Sequence, residues 1–187
     1  EKLPARQVFG YLAGMVPTII MVGFFGFAYS KFFLNDLKLD PTLWYIGLAI
    51  YGTINAFNDP IIGYLSDNTN ARKWGSRRLI YIKWGAPLWA LAFALIWWIP
   101  TDHGSQFLLF LHFTLTLCFY DTLMTMVVMT WMSLLPEMTM DVDERAKIGL
   151  ISTIVVFIFG LPLLAVSTLK HEQIKLASLV IAAISPF

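Results

Sequence analysis

The chain has 187 residues, 58% of them hydrophobic and only 13% charged, with a mean hydropathy of +0.69 and a formal net charge of +1. A soluble domain keeps about a quarter of its residues charged, so this composition excludes an ordinary soluble fold and points to an all-α polytopic membrane protein. The charge balance offers no argument for nucleic acid as a partner, and the single cysteine, Cys118, excludes an internal disulfide or a cysteine metal cluster.

Six apolar segments follow one another at about 8–34, 44–65, 79–99, 107–135, 148–169 and 174–187. At about 1.5 Å per residue, roughly twenty residues cross the hydrocarbon core, so the first five are long enough to span with room for tilt. The first is too long for the core of a cleavable signal and reads as a true span. The sixth stops without a polar flank and looks cut rather than finished, as expected of part of a longer protein or of a chain that ends in a disordered region. Turn chemistry separates the segments, at Asn35-Asp36, at Asp40-Pro41, at 100–104 and from Pro136 onward.

Lysine and arginine set the orientation. Alternate connections hold Lys2 and Arg6, then Arg72, Lys73, Arg77 and Arg78, then Arg145 and Lys147, with Lys83 just inside the third span on that side. The opposite connections hold only Lys38 and Lys170, with Lys31 and Lys175 near helix ends. The basic side is therefore expected in the cytoplasm, with the N-terminus inside, in an inner or plasma membrane.

The second segment carries the most informative residue, Asp59, within Asn55-Ala56-Phe57-Asn58-Asp59-Pro60. A carboxylate at that depth costs on the order of 2.5–3.5 kcal/mol unless it meets an ion, a proton or a partner. Asn55 and Asp59 are four residues apart and share one helix face, and Asn58 can turn an amide oxygen into the same space. Pro60 removes the donor that would face the carbonyl of Ala56. Such oxygens suit a small cation, and a carboxyl group in an apolar setting is equally a proton site.

The fourth segment holds a second acid, Asp121, with Thr122, Thr125 and Thr130 following it. Asp59 lies about seven residues, or roughly 10 Å, from the basic end of its span, and Asp121 about fourteen, or roughly 21 Å. That gap disfavours a direct pair and puts Thr125 nearer the level of Asp59, so Asp121 is expected higher in the same cavity, on the substrate side. His112 reads as an interfacial or packing residue, and His103 and His171 as solvated connections. Trp84, Trp89, Trp97, Trp98 and Trp131 fit interface belts or helix packing. No nucleophile with its base, no His/Glu metal pattern and no phosphate loop is present. An enzyme is not expected, nor an organic cofactor, nor a metal beyond a possible sodium at Asp59.

Between the second and third segments stand Gly63 and Asp67 at four-residue spacing, then Arg72, Gly75, Arg77 and Arg78. Positive-inside bias accounts for the arginines but not for Gly63 and Asp67. Here the chain resembles the major facilitator superfamily, whose signature in this loop has the same order of Gly, Asp, basic, Gly and paired basics. Asn58-Asp59-Pro60-Ile61-Ile62-Gly63, the long loop before Gly75, and Ser133-Leu134-Leu135-Pro136 followed by Asp143-Glu144-Arg145 resemble the glycoside–pentoside–hexuronide:cation symporters, which include melibiose permeases and lysolipid carriers.

The resemblance implies a six-helix bundle forming the amino-terminal half of a twelve-helix transporter that works by alternating access. Asn58, Asp59 and Thr125 match the family's cation site, whereas Asn55 stands where the family has an acid. Ungapped placement puts the family's fourth-helix acid on Val128, its first-helix acid near Val16 and its fifth-helix arginine near Thr153. These departures weaken sodium coupling and weaken sugar transport more. They leave room for proton coupling, for an apolar or amphipathic solute, or for a transporter-like assembly or regulatory subunit without transport. The loop from Gly63 to Arg78 is implied to lock the cytoplasmic face. The expected partners are a small-molecule substrate, membrane lipids and a carboxy-terminal six-helix half or second copy.

Overall fold

In a computed structural model of the chain, residues 3–70, 77–99 and 105–185 are described, and among them the structure is helical without strands. Six long helices are α1 (Ala5–Ser30), α2 (Pro41–Asp67), α3 (Leu79–Trp97), α4 (Gln106–Met132), α5 (Val142–Gly160) and α6 (His171–Ile184). A single turn of helix, Leu134–Met138, links α4 to α5, and a 3₁₀ segment, Leu161–Thr168, prolongs α5. Segments Ala5–Asp36, Leu79–Trp97, Gln106–Met138 and Val142–Thr168 are long and apolar enough to cross a membrane. α2 matches them in length with 27 residues, but Asn55, Asn58 and Asp59 interrupt its apolar run. α6, with 14 residues, falls short of the roughly twenty that cross the hydrocarbon core. The protein is an integral membrane protein.

The helix ends follow local chemistry. Asp40 caps α2 by accepting from the backbone N–H groups of Thr42 at 2.7 Å and Leu43 at 3.3 Å, with Pro41 in the first helical position. Those bonds, that of Thr42 foremost, hold the Asp40 carboxyl below its ordinary range. Asp141 caps α5 in the same way, accepting from Asp143 and Glu144. α1 ends in a widened π-helical stretch, Lys31–Asp36, in which the N–H of Leu37 bonds the carbonyl of Phe32 at 3.0 Å. That stretch turns Phe32 and Phe33 wholly into the core, and the Lys31 ammonium donates to the Leu169 carbonyl.

α4 is the centre of the bundle, packed along α3 on one side and α2 on the other. α1 packs on α5 and its 3₁₀ extension, and α3 on α6. An aromatic cluster closes the end away from the basic loops: Trp44 stacks on Phe113 at 4.7 Å, and Phe24 meets Trp97 edge-on at 5.4 Å. Small residues let the backbones approach. A Cβ on Gly47 would lie 2.4 Å from Phe113 Cε1, and one on Gly85 2.5 Å from Met126 Cε.

The histidines and tryptophans divide by position. His112 Nε2 lies 3.3 Å from the Ile96 carbonyl oxygen, joining α4 to α3 as a packing residue. His171, expected as a solvated connection, instead stacks flat on Phe32 at 4.9 Å, because the π-helical turn brings that ring to the start of α6. His103 lies outside the described residues. Trp89 and Trp97 are buried, Trp131 stacks on Tyr11, and Trp84 and Trp98 are exposed.

Candidate functional site

α2 and α4 touch at pairs whose numbers rise together: Asp40 with Gln106, Gly47 with Phe113, Asn58 with Thr122. The helices therefore run in the same direction, and this register brings Asn55 level with Asp121, one turn from Asp59. The Asn55 amide lies between the two carboxylates. With its nitrogen turned to them it donates to Asp121 Oδ2 at 2.8 Å and to Asp59 Oδ1 at 3.1 Å, the orientation that satisfies both acceptors. Tyr51, one turn before Asn55, donates its hydroxyl to Asp121 Oδ1 at 3.1 Å. Asn58 donates its amide to Thr122 Oγ1, whose own proton goes to the Cys118 carbonyl at 2.7 Å.

The structure thus joins Asp121 to Asp59 through one side chain, where depth alone sets them apart. Residue counting measures the offset of Cα atoms, and the Asn55 amide spans that offset. Thr122, rather than Thr125, meets the α2 amides; Thr125 is buried at the level below Asp121. Tyr51 is absent from the expected site, and Thr122 enters the sequence reading only as a hydroxyl beside Asp121. The i, i+4, i+8 spacing of Tyr51, Asn55 and Asp59 is the signal that marks the tyrosine.

Asp121 is 5% exposed and Asp59 half-buried, and among the described residues neither has a lysine or arginine partner. Their partners are an amide and a phenol, both neutral. Two acids held by neutral donors on apolar helices are chemically suited to take positive charge, as a proton on one carboxyl or a small cation between oxygens. The family's other positions do not join it. Val16 lines an apolar groove against Ile181 and Ile184 of α6, Thr153 is exposed and donates to its own helix at Gly149, and Val128 is half-buried on α4.

A second charged cluster lies at the basic end. Arg78 bonds Asp67 at 2.9 Å and Glu137 at 2.9 Å and donates to Ser66 Oγ at 3.3 Å, while Arg77 reaches Glu137 at 3.2 Å. The paired arginines are thus engaged inside the chain, with Glu137 as an acid the loop motif does not include. Arg72 and Gly75 lie outside the described residues. Gly63, read as a point of close helix approach, has open space around its missing Cβ among the described residues. Gly47 and Gly85 make the close approaches instead. Next to this cluster, Glu144 accepts from Thr139 Oγ1 and the backbone N–H of Leu3, both at 2.8 Å.

The profile of the MFS/sugar transport protein family matches residues 10–170. Transmembrane protein 180 of Mus musculus is 29% identical over 161 residues, covering 79% of this chain and 29% of the relative. An uncharacterized symporter of Synechocystis sp. is 33% identical over 154 residues, covering 80% and 28%. The sodium-dependent lysophosphatidylcholine symporter 1 of Mus musculus is 26% identical over 142 residues, covering 72% and 26%. The chain thus spans less than a third of the length of these relatives. The match across most of the chain, on an all-helical membrane fold, places it in the MFS/sugar transport protein family, within the major facilitator superfamily.

Proposed function

We propose that the chain forms the amino-terminal six-helix half of a coupled secondary transporter, with Asp59 and Asp121 together binding the coupling charge. The observation that carries this reading is the Asn55 amide shared by two carboxylates without a basic partner among the described residues. Loading one positive charge there would halve the negative charge of the pair and let the two halves of the transporter rock about the midplane, as alternating access requires. Asn55 presents its donor rather than its oxygen to the acids, which favours a proton over sodium as the charge carried. The basic side would face the cytoplasm, with the Asp67–Arg78–Glu137 cluster closing that face.

An amphipathic solute, the class named in the lysophosphatidylcholine symporters, fits this half better than a sugar. Val16, Thr153 and Val128 stand where the family would grip hydroxyl groups. The test is uptake by the full-length protein in proteoliposomes, with lysophospholipids and sugars as substrates under imposed proton or sodium gradients. Uptake driven by the proton gradient and lost in Asp59→Asn supports the reading, whereas unchanged ion dependence in that variant overturns it. The replacement of family acids at Asn55 and Val128 favours a second reading, a regulatory or assembly subunit. It predicts a stable full-length protein whose uptake matches empty vesicles under either gradient.

A further inference from the structure

The coupling site leaves unused the basic end of α3, where Lys83 and Trp84 stand exposed, one turn into the helix from Leu79. The Lys83 ammonium lies 5.9 Å from the Trp84 ring centroid, over its face, and forms no ion pair among the described residues. Arg77 and Arg78 nearby are engaged by Asp67 and Glu137. Two grooves meet at this point. One of about 290 Å³ is lined by Thr69, Ile80, Tyr81, Trp84 and Met126, and one of about 220 Å³ by Leu79, Ile80, Lys83 and Trp84. The hydroxyls of Thr69 and Tyr81, 2.7 Å apart, make a polar lip on the first.

From Trp84 an exposed apolar stripe continues through Leu88, Leu91, Leu95 and Trp98, at the three- and four-residue spacing of one helix face. Helix–helix contacts in membranes favour small residues, and this stripe offers leucines between two tryptophans, a surface for acyl chains rather than for another helix. We propose that this corner binds an anionic phospholipid, its phosphate on Lys83, its headgroup at the Thr69–Tyr81 lip and one chain along Leu88, Leu91 and Leu95. The lysine stem is long enough to carry its charge to headgroup level from one turn inside the helix. Basic pockets between helices at the cytoplasmic face are general sites for such headgroups.

The test uses full-length protein in phosphatidylcholine vesicles, with brominated phosphatidylglycerol or brominated phosphatidylcholine as quencher of tryptophan fluorescence. The parent should bind the anionic lipid about five-fold in preference, the share of one lysine near a charged surface. Lys83→Gln should bring the two lipids to parity, Lys83→Arg should keep the preference, and Trp84→Phe should remove the selectively quenched component. Equal quenching in the parent, or a preference that survives Lys83→Gln, overturns the proposal. So does cross-linking between copies through this face with neither lipid quenching. No variant here touches Asp59 or Asp121, so this result stands or falls separately from coupled uptake.

Discussion

Two clusters of charge lie on α2, separated by two turns, and they are built on opposite principles. At the basic end, Asp67 and Glu137 both face Arg78, whose side chain is only 13% exposed, so each acid has a cation on hand. At mid-helix, Asp59 and Asp121 face only neutral donors: the more buried Asp121 takes the amide of Asn55 and the phenol of Tyr51, and Asp59 the amide alone. An exposed carboxylate with an arginine beside it is stable as it stands. A buried carboxylate with neutral donors keeps an uncompensated charge that a proton or a cation can meet. The first cluster holds helix ends together, and the second is the one that the proposed coupling reading assigns to exchange.

The largest expected effect separates these roles directly. Asp59→Asn and Asp121→Asn in the full-length protein should each lower affinity for the coupling ion by about tenfold to a hundredfold, the worth of one or two charge-assisted bonds. If the pair acts as a unit, the double variant should lose little more than either single one. Multiplying losses, read from the ion dependence of uptake, would separate Asp121 from Asp59. Arg78→Gln should leave ion affinity alone and instead lower stability by about 1–3 kcal/mol, since two carboxylates lose a charged donor. Arg77→Gln, at a side chain 46% exposed, should cost no more than about 1 kcal/mol.

The register that creates the mid-helix site can be broken without touching its chemistry. Gly47→Val forces carbon into Phe113 and should cost about 1–3 kcal/mol, visible as a fall in melting temperature in detergent and a loss of ion binding. Gly63→Ala meets open space and should be neutral or stabilising by up to about 1 kcal/mol. The opposite pattern would mean that the α2–α4 seam does not set the site.

Sequence carries part of this contrast. Apolar segments of membrane-crossing length are readable because a bilayer forces the backbone to satisfy itself within each helix. The shared face of Asn55 and Asp59 is readable because it is local, a matter of four-residue spacing. The place of Asp121 is not, because it depends on where α4 settles against α2, and that is decided by Gly47 admitting Phe113 and by Gln106 bonding Asp40 and Lys38. Gly63 differs from Gly47 for the same reason: a glycine marks close approach where a neighbouring helix arrives, and among the described residues one arrives at Gly47. Glu137 escapes the loop motif because it reaches the arginines from the turn after α4.

The finest test lies in the hydroxyl of Tyr51, which gives Asp121 its second donor. Tyr51→Phe keeps the ring and removes one neutral hydrogen bond, so ion affinity should change by about 0.5–1.5 kcal/mol, roughly two- to tenfold. Because the phenol stabilises the ionised acid, its loss should favour the protonated carboxyl, and proton-driven uptake should saturate at higher pH. Sodium-driven uptake would shift the other way, since a less stabilised carboxylate admits a proton that competes with the ion. Melting temperature should hold, as a half-exposed hydroxyl leaves no buried cavity behind. In an Asp121→Asn background the same substitution should do nothing to the pH profile, because the group that the phenol acts on no longer titrates. A shift that persists there would assign Tyr51 a role of its own, apart from the carboxylate pair.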